Sequence, residues 1–256
     1  MTRVGVFGAD GKMGRLVCAA VDADPELELV AAVDPSSAGG RTSSGAVPIV
    51  ASPDALAEAG AEVAVDFTSP DAVMGNLRFC IEHGIHAVVG TTGIGPDRLD
   101  EIQGWVEARP EQGVIIAPNF SVGAVLAQRL AEEAARFFPA AEVIELHHDQ
   151  KVDAPSGTAA ATARRIAAAR AEAWKGPQGG EAFRGGEVEG IRVHSVRLPG
   201  LVAHQEVVFG AQGQTLSIRH DTTDRNSFMP GVLLAIRHVP RRPGLTVGLE
   251  PLLLER

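Results

Sequence analysis

Val4-Gly-Val-Phe-Gly8-Ala-Asp-Gly11-Lys-Met-Gly14 runs from a short apolar strand, through glycines spaced three apart, into a helical pattern that continues to about Ala23. Strand, glycine turn and helix in that order are what a dinucleotide pyrophosphate needs. Gly8 lets the chain turn sharply, Gly11 lets the backbone approach the phosphates, and Gly14 lets the helix pack close to the strand. The spacing is G-x-x-G-x-x-G, not the commoner G-x-G-x-x-G, and a glycine-rich turn that binds nothing satisfies it too. The next strand, Leu27-Glu-Leu-Val-Ala-Ala-Val-Asp34, ends in a carboxylate 20 positions after Gly14. An acidic residue at about that distance accepts hydrogen bonds from the adenosine ribose. A carboxylate there disfavours a 2′-phosphate, whereas Lys12 on the turn can pair with one. The expected cofactor is therefore NADH, NADPH or both.

Outward from this unit the pattern repeats. Pro35 to Ala51 is rich in Ser and Gly and reads as a loop. Pro53 to Ala59, Asp71 to His83 and Gly95 to Ala108 read as helices. They alternate with the buried strands Val63-Ala-Val-Asp-Phe-Thr68, Ala87-Val-Val-Gly-Thr-Thr-Gly93 and Gly113-Val-Ile-Ile-Ala-Pro-Asn-Phe120. Such alternation predicts an α/β fold with a Rossmann-like, doubly wound parallel sheet over residues 1–120. Ligands of these sheets lie at the carboxyl ends of the strands. Thr68, Gly90, Thr91, Thr92, Ala117, Pro118, Asn119 and Phe120 fall there. With Gly8, Ala9, Asp10, Gly11, Lys12, Met13 and Asp34 they are the expected cofactor-binding set.

Ser121 to Phe138 reads as a long helix with Val125, Leu126, Leu130 and Ala134 on one side. It leads into a second domain, 121–227, whose strongest feature is Glu145-Leu-His-His-Asp-Gln-Lys-Val-Asp-Ala-Pro-Ser-Gly-Thr158. Before it, Ala141-Glu-Val-Ile-Glu-Leu-His147 alternates as a strand, with Val143, Glu145 and His147 on one face. After it, an alanine-rich helix is expected to run to Trp174, with Pro155 and Ser156 in its first turn. Each residue alone has an ordinary structural reading, since paired histidines are often surface groups and a Ser-Gly-Thr start is often a cap. Together they place two imidazoles and a lysine beside the N–H groups of Ser156, Gly157 and Thr158. That is a proton donor with an anion cradle.

This segment, Glu-Leu-His-His-x-x-Lys-x-Asp-Ala-Pro-Ser-Gly-Thr-Ala, resembles the signature of the dihydrodipicolinate (4-hydroxy-tetrahydrodipicolinate) reductase family. The resemblance implies NAD(P)H-dependent reduction of a cyclic imine dicarboxylate on the diaminopimelate route to lysine. It implies His147 as proton donor with Lys151 as its catalytic partner, and His148, Ser156, Gly157 and Thr158 as substrate-binding residues. Spacing alone does not choose between His147 and His148. The Gly-Thr-Thr and Pro-Asn-Phe segments would flank the nicotinamide, and Asn119 to Ser121 would act as a hinge for closure.

The rest of the second domain holds the glycine-rich 175–186 segment, a lid or a surface loop, and three closely spaced strands: Ile191 to Leu198, His204 to Phe209 and Gln214 to His220. They predict an α+β domain with an open mixed sheet. The strand histidines His194, His204 and His220 read as structural or interfacial. An open sheet face needs covering, and with the family resemblance this implies a homotetramer. Ser227 to His238 reads as a helix and Leu245 to Glu250 as a short strand or extended tail, and the resemblance implies that this 228–256 segment completes the first domain.

Composition narrows the function classes. The 256 residues carry a net charge of −9, which offers nothing to nucleic acid or an anionic membrane. No apolar run reaches membrane-spanning length. With no Tyr and two Trp, a base- or sugar-stacking surface is disfavoured. Cys18 and Cys80 read as buried thiols, without disulfide or metal spacing, which suggests a cytoplasmic enzyme with no metal. Two other readings compete: a different dehydrogenase of the same fold, and a non-catalytic nucleotide sensor. Neither has a use for His147, Lys151 and the Ser156–Thr158 turn together.

Overall fold

The computed structural model describes residues 1–170, 176 and 183–254. Its first strand, β1 (Thr2–Phe7), ends in the glycine turn, and α1 (Lys12–Asp22) leaves that turn. Gly8 adopts φ +70°, a conformation that strains any residue with a side chain. At Gly14 a Cβ would stand 1.9 Å from the Gly8 carbonyl oxygen, so glycine is what lets the helix close onto the turn.

The chain continues through β2 (Leu27–Val33), β3 (Ile49–Val50), α2 (Asp54–Glu58), β4 (Val63–Asp66), α3 (Val73–Glu82), β5 (His86–Val89), α4 (Pro96–Glu107) and β6 (Gly113–Ile116). Near the C-terminus α7 (Met229–His238), β12 (Gly244–Val247) and α8 (Glu250–Leu254) follow. The sheet order is β12-β6-β5-β4-β1-β2-β3, and every pairing in it is parallel. Chain order reverses beside β1, between β2 and β4, which puts the ligand crevice of a doubly wound sheet at the carboxyl ends of those strands. Phe7, Leu56, Leu77 and Ile102 are wholly buried in its core. Each such side chain contributes about 1.5–3 kcal/mol.

The chain divides into two compact units, Met1–Val122 with Phe228–Arg256, and Gly123–Ser227. In the second, the elements after α5 (Val122–Ala134) are β7 (Ala140–His147), α6 (Gly157–Ala169), β8 (Gly186–Val188), β9 (Ile191–Arg197), β10 (Ala203–Ala211) and β11 (Gln214–Thr222). Their sheet is mixed, in the order β11-β10-β7-β9-β8. β7 pairs parallel with β9, while the other contacts are antiparallel. Ala131, Ala135, Ala159, Ala163 and Ile166 pack on Val143, Val193, Val207 and Phe209. The small alanine side chains let the helices lie close on the sheet.

Five local expectations change. Pro35 to Ala51 is not wholly loop: Pro35–Ser37 is a 3-10 turn and Ile49–Val50 adds an edge strand, because Val47 and Ile49 are apolar enough to bury. On α5 the buried residues are Val125, Ala127 and Ala131, while Leu126 and Leu130 are exposed. The alanine-rich helix closes at Ala169 with Arg170 as its cap, short of the expected Trp174; residues 171–174 lie outside the described residues. Met229, not Ser227, opens α7, which a 3-10 turn at Arg225–Phe228 precedes. The chain end is a strand followed by a helix, since Glu250-Pro-Leu-Leu-Leu turns helical. The lid reading of the glycine-rich segment falls mostly on residues 177–182, outside the described residues.

Candidate active site

Two sets of site residues are assembled, one in each unit. In the first, the glycine turn is pinned to β2: the Gly8 and Ala9 amides both donate to the Val33 carbonyl, at 2.8 and 3.2 Å. The Gly11 amide donates to Gly8 O at 3.0 Å. Gly8, Ala9 and Gly11 therefore shape the turn. The amides of Lys12 and Met13, in the first turn of α1, have no intrahelical acceptor by position, and Gly11 gives the helix no side-chain cap. This uncapped N-terminus, beside a turn that a Cβ at Gly14 would fill, fits a pyrophosphate.

Asp34 closes β2 and is buried. Its Oδ2 accepts the Asp10 amide at 3.1 Å, and its Oδ1 accepts the Ser36 amide at 3.1 Å and hydroxyl at 2.6 Å. Asp10 in turn accepts from Ser37 Oγ at 2.6 Å and from Arg15 Nε at 3.0 Å. Those bonds, Ser37 first and Arg15 second, hold its carboxyl below the usual carboxylate range.

At the neighbouring strand ends, a residue outside the expected set organises the expected ones. Asp66, the last residue of β4, is buried. Its Oδ1 accepts the Thr68 amide and hydroxyl and the Thr91 hydroxyl, at 2.9, 2.7 and 2.7 Å, and its Oδ2 accepts Asn76 Nδ2 at 2.7 Å. Thr68 N–H also reaches Thr91 Oγ1 at 2.8 Å. The Gly90 amide donates to Asp66 O at 2.9 Å, and the Ala117 amide to Val89 O at 3.0 Å. Thr92 and Pro118 are exposed beside them. Phe120 packs against Phe67 with centroids 5.6 Å apart. Asn119 Oδ1 accepts the Ser121 amide at 2.8 Å, fixing the turn into α5.

In the second unit, alternation along β7 turns Glu145 into the core. It is wholly buried and charged, which demands partners. Arg197 from β9 supplies two, Nη2 to Oε1 at 2.7 Å and Nη1 to Oε2 at 2.9 Å. His147 Nδ1 donates to Oε2, and the Ser156 amide donates to Oε1 at 3.3 Å. Burial is the largest single influence on Glu145 and raises its pKa. Hydrogen bonds from Arg197, Ser195 and His147 together outweigh burial and leave the carboxyl below its ordinary value.

The contact to Glu145 fixes the His147 tautomer with the proton on Nδ1, so Nε2 is the nitrogen for external chemistry. Burial lowers the His147 pKa against the pull of Glu145, and the Lys151 and Arg197 charges lower it further. Arg197 also donates through Nε to Lys151 O at 3.2 Å and through Nη2 to Asp153 O at 2.7 Å. One guanidinium thus ties the imidazole's carboxylate to the loop that carries the lysine. The signal for Glu145 was its place on the His147 face of the strand; Arg197, 52 residues away, had none.

Lys151 Nζ pairs with exposed Asp153 Oδ1 at 2.7 Å, an exchangeable surface contact. The Lys151 amide donates to His148 O at 3.2 Å. Ser156 has structural partners of its own. Its hydroxyl caps α6 by accepting the Ala159 amide at 3.1 Å, and its own amide serves Glu145. Gly157 and Thr158 open α6, and their amides have no intrahelical acceptor by position. Gly157 is exposed, and a Cβ there would meet nothing within 4 Å. Packing within the described residues does not require that glycine.

Comparison with known proteins follows the same division. Residues 2–120 match the family model for the dihydrodipicolinate reductase N-terminus, and residues 123–253 match that for its C-terminus. A 4-hydroxy-tetrahydrodipicolinate reductase from Nocardia farcinica is 58% identical over 257 residues, covering 98% of each chain. One from Mycobacterium marinum is 53% identical over 255 residues, again covering 98% of each. Among solved structures, a dipicolinate-bound dihydrodipicolinate reductase from a Paenisporosarcina species aligns with TM-score 0.87 and 39% identity, over 98% of this chain and 99% of that one. A myo-inositol dehydrogenase from Corynebacterium glutamicum, at TM-score 0.63 and 17% identity over 95% of this chain and 90% of its own, shares the fold alone.

Proposed function

The chain belongs to the dihydrodipicolinate reductase family, and from that premise we propose that it reduces 4-hydroxy-tetrahydrodipicolinate to tetrahydrodipicolinate, with the following division of labour. The nicotinamide dinucleotide, when bound, supplies a hydride to the substrate ring. Gly8, Ala9, Asp10 and Gly11 shape the turn on which Lys12 and Met13 hold the pyrophosphate, and Asp34 takes the ribose hydroxyls. Thr68, Gly90, Thr91, Thr92, Ala117, Pro118, Asn119 and Phe120 hold the nicotinamide end.

His147 Nε2 delivers the proton that the ring nitrogen side requires. Glu145 keeps the imidazole in that tautomer. The lowered pKa makes the imidazolium a stronger acid, and a dianionic substrate beside it favours its charged form, restoring a protonated donor in the complex. Lys151 exchanges Asp153 for a substrate carboxylate, and His148 with the Gly157 and Thr158 amides holds a carboxylate. Placement of the two reactants is the larger lever, up to about 7–11 kcal/mol in ideal cases; the acid adds about 10²–10⁴-fold.

The carrying observation is Glu145, a wholly buried carboxylate whose bonds orient His147 and, through Arg197, the Lys151 loop. A carboxylate buried at that cost serves the chemistry of the histidine it holds. The same reading carries a homotetramer built on the second unit's sheet and a cytoplasmic setting, to which the buried free thiols Cys18 and Cys80 are suited; light scattering on the purified protein tests the tetramer. Turnover is tested by loss of reduced-nicotinamide absorbance in a coupled assay with pyruvate, aspartate semialdehyde and a purified synthase. His147→Gln should lower kcat by about 10²–10⁴-fold with little change in KM. Full turnover by that variant removes His147 from the donor role.

A further inference from the structure

The walls of the adenosine ribose pocket also carry a choice between the two cofactors. We propose that this chain selects NADH over NADPH, and that Asp10 is the residue that enforces the choice. The inference rests on the nicotinamide reading above and deepens it.

A ribose with free hydroxyls is a hydrogen-bond donor and suits a carboxylate. A 2′-phosphate is an acceptor-only group of nearly two negative charges and needs donors and cations. The residues that follow β2 are where such donors and cations are found in doubly wound folds. Here Ser36, Ser37, Arg41 and Arg15 are each engaged elsewhere. The Ser36 hydroxyl donates to Asp34 and the Ser37 hydroxyl to Asp10, both at 2.6 Å. Arg41 is the one cation between Asp34 and Val50. Its Nε donates to Gly45 O at 2.5 Å and its Nη2 to Ala46 O at 2.9 Å. Arg15 faces Asp10, with Nη2 to Oδ1 at 2.9 Å.

What remains toward the pocket is two carboxylates joined by a backbone bond, the Asp10 amide to Asp34 Oδ2 at 3.1 Å. Arg15 is spent on Asp10, and Lys12, exposed at the start of α1, stands where the pyrophosphate needs it. Asp34 alone is a common ribose acceptor. Asp10, held by Ser37 at 2.6 Å, adds a second carboxylate beside it. Hydrogen bonds to a charged group are each worth roughly ten- to a hundredfold in binding, and a 2′-phosphate here finds its donors engaged.

The test is direct binding. The purified full chain is titrated with NADH and with NADPH, following nicotinamide fluorescence, and the two dissociation constants are compared in the wild type and in Asp10→Asn. The expected result is tighter NADH binding by about tenfold or more. Asp10→Asn should narrow that ratio severalfold, because NADPH gains more than NADH from the loss of the charge. Equal dissociation constants in the wild type overturn the inference, even if the variant does not fold. A ratio that is unchanged in a folded Asp10→Asn, with folding read by thermal melting, removes Asp10 as the determinant. Failure to bind either cofactor overturns the nicotinamide reading, and this inference with it.

Discussion

Glu145→Gln is the sharpest perturbation the structure offers. The substitution keeps the shape of the side chain and removes its charge. In the wild type, both oxygens accept from Arg197, at 2.7 and 2.9 Å, and Glu145 also accepts from His147 Nδ1, the Ser156 amide and the Ser195 side chain. Every neighbour is a donor, so the new amide NH₂ must oppose one of them, and Arg197 loses the charge that balances it. Breaking a buried pair by removing one partner costs about 3–5 kcal/mol. In a chain of this size that lowers the melting midpoint by roughly 2–4 °C per kcal/mol. The chemical effect is separable from the stability effect. Without the carboxylate the imidazole is free to turn or to move its proton to the other nitrogen, and kcat measured well below the melt should fall by about 10²–10⁴-fold.

Affinity for reduced nicotinamide, which we assign to residues of the other unit, should not change. The pH profile gives a second reading. His147 donates only when protonated, so activity falls as pH rises through its pKa. Burial sets that pKa low and Glu145 raises it; losing Glu145 therefore moves the limb to still lower pH. A folded Glu145→Gln enzyme with kcat within threefold of wild type and an unmoved limb would refute the orienting role.

Further predictions follow from single observations. Gly14→Ala should impair folding and abolish nicotinamide binding in a fluorescence titration, because its Cβ would stand 1.9 Å from Gly8 O. Gly157→Ala, whose Cβ meets nothing within 4 Å, should melt like the wild type and yet raise the substrate KM. Lys151→Ala breaks a pair with a well-exposed Asp153, so denaturation should shift by no more than about 1 kcal/mol, while kcat falls and KM rises at least tenfold. Glu145 and His147 both titrate below their ordinary values of 4.5 and 6.5. Each thus contributes stability that is present above that ordinary value and lost as pH falls through the lower folded one. Denaturant midpoints should decline first below pH about 6.5 as His147 charges, and again below about 4.5 as Glu145 protonates; a flat midpoint between pH 7 and 4 contradicts the assignment.

The order of strands and helices was readable where local rules act alone. Val4 to Gly14 specifies strand, turn and helix through residue types within eleven positions, and Ala141 to His147 shows its period directly. What was not readable depends on distant partners. Glu145 reads as one more charged residue until Arg197 arrives from β9 to neutralise it, and no local pattern announces that meeting. Ser156 could equally have served a ligand; only the nearness of the Glu145 carboxylate makes its amide structural. Leu126 and Leu130 share a helix side with Val125, but it is the small side chain of Ala131 that packs against the sheet. Ile49 and Val50 form a strand because β2 offers an unpaired edge, which their own short run could not reveal.

The edge of the first sheet beyond β6 is closed by β12, a strand that lies more than a hundred residues later in the chain. A ribosome thus delivers the dinucleotide unit in two instalments, with the whole of Gly123–Ser227 made in between. Throughout that interval the nascent β6 presents bare backbone donors and acceptors to any passing strand. Growing chains of this protein should for that reason be most prone to mispairing after β6 is made, and most in need of chaperone cover until β12 emerges.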